Sequence, residues 1–322
     1  MGEIPSPAAR MNPAPSIVFF TTASGAGYGL LFWLGLLRAL GYVPQSPAFG
    51  LMALILALML ITLGLLSSLK HLGRPERAWR ALSQWRSSWL SREGVAAIAT
   101  YVPAALFGIA LLTGNQALAL VAGLLAAAGA AATTWATGMI YASLKPVRQW
   151  HHPMVPWGYL VFGGFCGAAL LASLAALWGE ARIAGIVAAV LGGGAIALKR
   201  AYWQSIDAPK PADAPSIETA TGLGRIGTTR PLDPPHTEQN WLLREMGFRV
   251  ARAHRAKLRR ITLMGFGIAT VLAVLALPLS GALAALVLLP AAALAFAAML
   301  VERWLMFAEA THTVTLFYTG EA

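Results

Sequence analysis

Residues 48–71 read AFGLMALILALMLITLGLLSSLKH, a run with no charged side chain before Lys70. A helix needs about 20 apolar residues to cross the roughly 30 Å hydrocarbon core of a bilayer. In lipid the backbone of such a run must satisfy its hydrogen bonds internally, which a helix does within one segment. The stretch therefore predicts a membrane protein built from helices.

The composition of the whole chain supports this prediction. Of its 322 residues, 57% are hydrophobic and only 11% are charged, and the mean hydropathy is +0.64. Soluble domains have about 25% charged residues. We predict an all-α integral membrane protein, a single domain over residues 1–322 with a bundle of eight transmembrane helices. The predicted spans are residues 16–38, 48–71, 94–113, 117–142, 155–178, 182–199, 260–279 and 281–301.

The basic residues are concentrated in the even-numbered loops between these spans. Loops two, four and six hold most of the 24 lysines and arginines, and the others are Arg10, Arg38, Arg182 and Arg303. The positive-inside rule assigns the basic loops to the cytoplasm, and we predict both termini on the periplasmic side. The charge of Lys199 is interpreted as an orientation signal that also attracts anionic lipid.

Loop six, residues 201–259, is the longest predicted cytoplasmic loop. It begins with a Pro-rich polar segment and ends in NWLLREMGFRVARAHRAKLRR, where apolar residues recur every three or four positions among arginines. That pattern predicts a basic interfacial helix at residues 240–259.

Loop two is the densest group of ionisable residues at a predicted membrane edge. Residues 67–94, SSLKHLGRPERAWRALSQWRSSWLSREG, contain His71 at the end of span two and Glu93 at the start of span three. A base and a carboxyl group at either end of one loop suit proton exchange with a quinone or quinol. The alternative is a wetted imidazole at His71 and a carboxylate that interacts with the helix dipole at Glu93. Trp79, Trp85 and Trp89 suit either the wall of a ring site or an interfacial aromatic belt.

Loop four faces the same side. Tyr141 ends span four, where its hydroxyl suits a hydrogen bond to a quinone carbonyl, although the pattern by itself favours an interfacial belt tyrosine. Trp150 follows in the same loop, next to His151 and His152.

The remaining residues argue against other redox and transport functions. None of the six histidines lies in the middle of a span, so we predict no haem and no metal site, although a pair of His71 with His151 or His152 near the surface stays open. The single cysteine, Cys166, cannot hold an iron–sulfur cluster. The span centres have few ionisable residues, which disfavours a small-solute transporter.

The strings HLGRPERAW…SWLSREG and GMIYASLKPVRQWHH, together with the eight predicted spans and outside termini, resemble the membrane anchor subunit of the dimethyl sulfoxide reductase family. The long loop six is more similar to anchors of related complexes, including sulfite dehydrogenases. The resemblance implies a non-catalytic subunit in the bacterial inner membrane that exchanges electrons between quinone and an iron–sulfur partner.

The resemblance also implies residue roles. The quinol-linked histidine and glutamate of the family fall on His71 and Glu93. Arg74 and Arg77 would hold the loop or dock the iron–sulfur partner, and Tyr141 and Trp150 would complete the quinone site. The expected partners are a ferredoxin-like iron–sulfur subunit, a molybdopterin catalytic subunit and membrane lipid, without nucleic acid; the expected cofactor is menaquinone or ubiquinone. A purely structural anchor without a quinone site remains the alternative.

Overall fold

The computed structural model describes residues 14–71, 74–209, 216–229, 232 and 254–315. In that part of the chain, eight helices are long and apolar enough to cross a membrane. They are α1 (Pro15–Ala39), α2 (Pro47–Ser68), α3 (Trp89–Thr113), α4 (Gln116–Ala142), α5 (Met154–Ala176), α6 (Arg182–Asp207), α7 (Arg255–Leu275) and α8 (Gly281–Ala308). The predicted all-helical membrane fold is confirmed.

Several helices extend beyond the apolar residues that predicted them. Helix α3 begins at Trp89 rather than at residue 94, α6 continues to Asp207 rather than ending at residue 199, and α7 begins at Arg255. Hydropathy detects only the part of a helix in hydrocarbon, whereas polar turns at the interface remain helical. Residues 255–259 of the predicted interfacial helix therefore belong to α7. Its segment 240–253 lies outside the described residues.

The eight helices form two groups of four, and successive helices in each group run antiparallel. Helices α1–α4 pack in one group and α5–α8 in the other, and α1 also contacts α5 and α8. Helices α1 and α5 are the most buried of the eight and run through the centre of the molecule. Leu30 and Leu34 of α1 and Phe165 and Leu171 of α5 are fully buried, and the Phe165 ring packs against Phe266 of α7.

Glycines bring the two central helices into backbone contact. A Cβ atom added at Gly29 would lie 1.9 Å from the carbonyl oxygen of Gly163, and one at Gly167 would lie 2.0 Å from the carbonyl carbon of Gly29. No side chain fits such gaps, so Gly at these positions permits the close approach typical of membrane helix pairs.

The described ends of the chain lie on the same face as the even-numbered loops. Near the C-terminus, the Thr313 amide donates to the Pro146 carbonyl of loop four at 2.9 Å. At the start of α1, the Ser16 carbonyl accepts from Ser67 Oγ at the end of α2 at 3.1 Å. The predicted placement of the termini opposite the even loops is therefore wrong. Each even-numbered loop follows an even number of membrane crossings and so lies on the side of the N-terminus, and the eight crossings bring the C-terminus to that side as well. We call this side the even face.

Candidate functional site

Loop two folds back onto the first turn of α3. A 3₁₀ helix, Pro75–Gln84, lies beside that turn, and Ser91 Oγ donates to the Ala81 carbonyl. Arg92 extends the attachment, since its guanidinium donates to the carbonyls of Trp85 at 3.0 Å and Arg86 at 2.7 Å. The loop is thus fastened by its own side chains at the edge of the membrane.

The predicted arginines of this loop lie at the surface. Arg74 is exposed, and the Arg77 side chain is 50% exposed with its Nε 3.9 Å from Glu76. Both are therefore available to a docking partner and neither lines a buried site. The backbone of His71 ends a short 3₁₀ turn, Leu69–His71, and its side chain lies outside the described residues.

Glu93 is buried inside the bundle. It is 5% exposed and one turn into α3, rather than at an exposed helix start. The hydroxyl of Thr137 on α4 lies 2.5 Å from Glu93 Oε1 and donates to it. The second carboxyl oxygen of Glu93 accepts no hydrogen bond from a described residue. Burying a carboxyl group with free acceptor capacity is costly, which makes Glu93 a candidate for a functional residue.

Tyr141 lies one helical turn beyond Thr137, on the same face of α4. Its ring stacks on Tyr159 at a centroid distance of 5.8 Å and meets Trp150 edge-on at 5.4 Å. Trp150 Nε1 donates to the Met306 carbonyl of α8 at 2.9 Å. The structure thus brings Glu93, Tyr141 and Trp150 together, and Thr137 joins them as a residue that the sequence analysis missed.

A second buried polar cluster lies between α6 and α8. Lys199 is 4% exposed, and Glu302 and Arg303 are each 1% exposed. Lys199 Nζ is 2.5 Å from Glu302 Oε1, and Arg303 Nη1 is 3.2 Å from Glu302 Oε2. The interpretation of Lys199 as a headgroup charge is therefore wrong, since α6 continues past it and carries it into the bundle. The signal that could have found the cluster is the Glu302-Arg303 pair inside an otherwise apolar run.

Arg303 connects this cluster to the aromatic group around Tyr141. Its guanidinium carbon lies 3.7 Å from the ring centroid of Tyr159, a cation–π contact that partly offsets the cost of burying the charge. A cavity of about 20 Å³ adjoins Lys199, Glu302 and Arg303, which is enough for roughly one water molecule.

Helix ends on the even face are joined by a further ion-pair network. Arg259 at the start of α7 binds Asp207 at the end of α6 and, at 2.7 Å from Nε, Glu309 just after α8. The network fastens these three helices where the long loop six leaves the bundle.

In loop four, His152 Nε2 is 2.9 Å from Ser205 Oγ of α6. Partial burial, and then the nearby Arg148, lower the pKa of His152, so a neutral imidazole is favoured there. Among the residues that the structure describes, no group of three or more His, Cys, Asp or Glu side chains is arranged to hold a metal ion.

Comparison with known proteins assigns the family. Residues 11–192 match the family model described as the DMSO reductase anchor subunit (DmsC). A sulfite dehydrogenase subunit from Allochromatium vinosum is 31% identical over 331 residues, which cover 97% of this chain and all of the relative. The chain belongs to the DMSO reductase anchor subunit family.

As a member of this family, the chain is a multi-pass membrane protein and an anchor subunit of a multi-subunit oxidoreductase, which implies catalytic and electron-transfer partners. The matched residues include Glu93, Tyr141 and Trp150. Lys199, Glu302 and Arg303 lie beyond the match to the family model but within the range aligned to the sulfite dehydrogenase relative. The resemblance read from the sequence is confirmed.

Proposed function

We propose that this anchor subunit exchanges electrons between membrane quinone and an iron–sulfur subunit, with quinone bound beside Glu93 at the base of loop two. The observation that carries the proposal is the Glu93 carboxyl, which is buried at the membrane edge and keeps one oxygen free of hydrogen bonds from the described residues. The proposal assigns the even face to the cytoplasm of a bacterial inner membrane, because that face has most of the positive charge.

Quinone reduction consumes two electrons and two protons, and quinol oxidation releases them. The electrons come from the partner's iron–sulfur cluster, since the single cysteine of this chain cannot hold such a cluster. Glu93 gives or takes one proton at its carboxyl group, and Thr137 Oγ1 holds that group in position. His71 is proposed as the second proton-exchanging group because it lies at the other end of the same loop.

Tyr141 and Trp150 suit the wall of a quinone site. The Tyr141 ring is fixed by Tyr159, Trp150 and Phe307, so its hydroxyl has a defined position from which to donate to a quinone carbonyl. The aromatic rings around it exclude water and provide the apolar surface that a quinone ring requires.

Arg74 and Arg77 support docking of the electron-transfer partner, which we propose is a ferredoxin-like iron–sulfur subunit bound to a molybdopterin catalytic subunit. Both arginines are exposed on the face that has Glu93. An exposed cationic surface favours an acidic partner and steers its approach. Because the relative from Allochromatium vinosum is a sulfite dehydrogenase subunit, we propose sulfite oxidation as the source of electrons and quinone as their acceptor.

The test compares Glu93 in the first turns of α3 with Glu76 in loop two. Glu93→Gln removes the proton-exchanging group but keeps the shape, and Glu76→Gln changes a glutamate whose side chain is 64% exposed. Quinone-coupled turnover is measured in membranes that contain equal amounts of assembled complex, together with binding of a quinone-analogue inhibitor. We expect turnover to fall about 100-fold or more in Glu93→Gln and to be retained in Glu76→Gln.

Equal turnover and equal inhibitor binding in the two variants would show that Glu93 is not part of the quinone site. In that case the purely structural anchor is favoured, and the quinone site belongs to a partner subunit. Binding of the quinone analogue to the purified anchor alone separates these two functions directly.

A further inference from the structure

The face opposite loop two has a cleft of about 570 Å³. It lies where α1 ends, α2 begins, and the short connection from α3 to α4 crosses between helices. A volume of this size is typical of small-molecule sites. The cleft is separate from the site around Glu93, which is at the other end of α3.

Arg38 contributes a fixed positive charge to this cleft. Its Nη1 donates to the carbonyls of Pro44 at 2.7 Å and Ser46 at 3.3 Å, and its Nη2 donates to the Gln45 carbonyl at 2.5 Å. Its Nε–H has no acceptor among the described residues, and no described carboxylate pairs with the guanidinium or lines the cleft. The charge of Arg38 is therefore held in place without an anionic partner from the described part of the chain.

The starts of two helices add to this positive potential. Pro47, the first residue of α2, and Gln116, the first residue of α4, both line the cleft. Side chains at the cap positions satisfy only part of the free amides, with Ser46 accepting from Phe49 and Asn115 from Leu118. Unpaired amides and the positive end of the helix dipole favour a bound anion, particularly a phosphate.

The rest of the cleft is apolar and opens toward lipid. Phe107 and Leu111 of α3 are buried in its wall, whereas Leu120 of α4 is 46% exposed on the outer surface of the bundle. A free phosphate ion makes no favourable contact with these apolar side chains. A ligand that joins a phosphate to hydrocarbon is complementary to both parts.

We propose that this cleft binds one membrane phospholipid. Its phosphate lies against Arg38 and the first turn of α4, and its acyl chains run along the exposed Leu120 at the outer surface of the bundle. The position fits, because a cleft at the ends of transmembrane helices lies at the depth of lipid headgroups. The inference is independent of the quinone site.

The test uses the full-length chain purified in mild detergent with its native subunits, then delipidated and titrated with phosphatidylglycerol during native mass spectrometry. Arg38→Gln removes the charge, but it also removes the hydrogen bonds to loop one. Gln116→Glu is the complementary variant, since an acidic residue in the first turn stabilises α4 and repels phosphate. Arg182→Gln changes a basic residue at the start of α6 on the same face and is the matched control.

We expect the affinity for one phosphatidylglycerol to fall about tenfold in Arg38→Gln and in Gln116→Glu and to stay unchanged in Arg182→Gln. Diacylglycerol, which lacks the phosphate, should not bind at this site, and millimolar inorganic phosphate should not displace the lipid. Equal lipid retention in all variants, equal binding of diacylglycerol, or displacement by inorganic phosphate would each overturn the proposal. Quinone-coupled turnover of Gln116→Glu should equal that of the unmodified protein.

Discussion

The hydrogen bond from Thr137 to Glu93 joins α4 to α3 at the proposed quinone site. Glu93 stands out because it is a carboxyl group next to an apolar run, and the cost of burying it points to a function. Thr137 gives no comparable signal, since threonines are common in membrane helices. The contact of Thr137 with Glu93 depends on how α3 packs against α4, where Gly129 and Thr100 approach closely. The alignment of two helices is set by tertiary packing, which the sequence of either helix alone does not reveal.

The contribution of the Thr137 hydroxyl can be measured against a neighbouring threonine. Thr137→Val removes the donor to Glu93 Oε1, whereas Thr134→Val removes a buried hydroxyl that donates only to the Ala130 carbonyl of its own helix. We expect Thr137→Val to lower the free energy of unfolding by about 2 kcal/mol, because a buried carboxyl loses its partner. Thr134→Val should change it by less than about 0.5 kcal/mol. Denaturant titration in detergent is the measurement, and equal losses would show that the Glu93 contact adds nothing.

At the scale of helices, hydropathy predicted all eight spans but not the ionisable residues inside them. Lys199, Glu302 and Arg303 are buried because α6 and α8 bring opposite charges together, and a pattern read along one segment cannot pair two distant ones. The same limit applies to α1 and α5. Their glycines suggest packing, but only the structure identifies Gly163 as the residue that meets Gly29.

Because α1 and α5 are in backbone contact, adding one methyl group should affect stability very differently at Gly29 and at Gly193. Gly29→Ala places a Cβ atom 1.9 Å from the Gly163 carbonyl oxygen, so α1 and α5 must separate. Gly193→Ala on α6 meets no atom within 4 Å. We expect a loss of about 3 kcal/mol or more for Gly29→Ala and a gain of about 0.5–1 kcal/mol for Gly193→Ala, because Ala favours the helix. Thermal unfolding of the purified variants measures both, and a stable Gly29→Ala protein would contradict the close packing.

At the scale of the whole molecule, the two faces differ in charge and in the function that we propose for them. The even face has the basic loops, Glu93, the Arg259 network and both described chain ends, whereas Arg38 and Arg182 are the described basic residues of the other face. This asymmetry places the proposed quinone chemistry and the docking surface on one side and the proposed phospholipid cleft on the other. The corrected position of the termini strengthens the asymmetry, because it moves Arg303 to the basic side.

Cysteine labelling tests both the shared face and its assignment to the cytoplasm. Cys166 is buried, and replacing it with Ala gives a background for single cysteines at Ser87 in loop two, Glu180 in loop five and Thr313 just after α8. Because six helices separate Ser87 from Thr313 and three separate Ser87 from Glu180, Ser87→Cys and Thr313→Cys should react with a membrane-impermeant maleimide from one side and Glu180→Cys from the other. The positive-inside rule predicts that the first two react only in inverted vesicles. Reaction of Thr313→Cys together with Glu180→Cys would contradict the fold, whereas reversed sides with the same grouping would move the partner subunits to the periplasm and leave the fold intact.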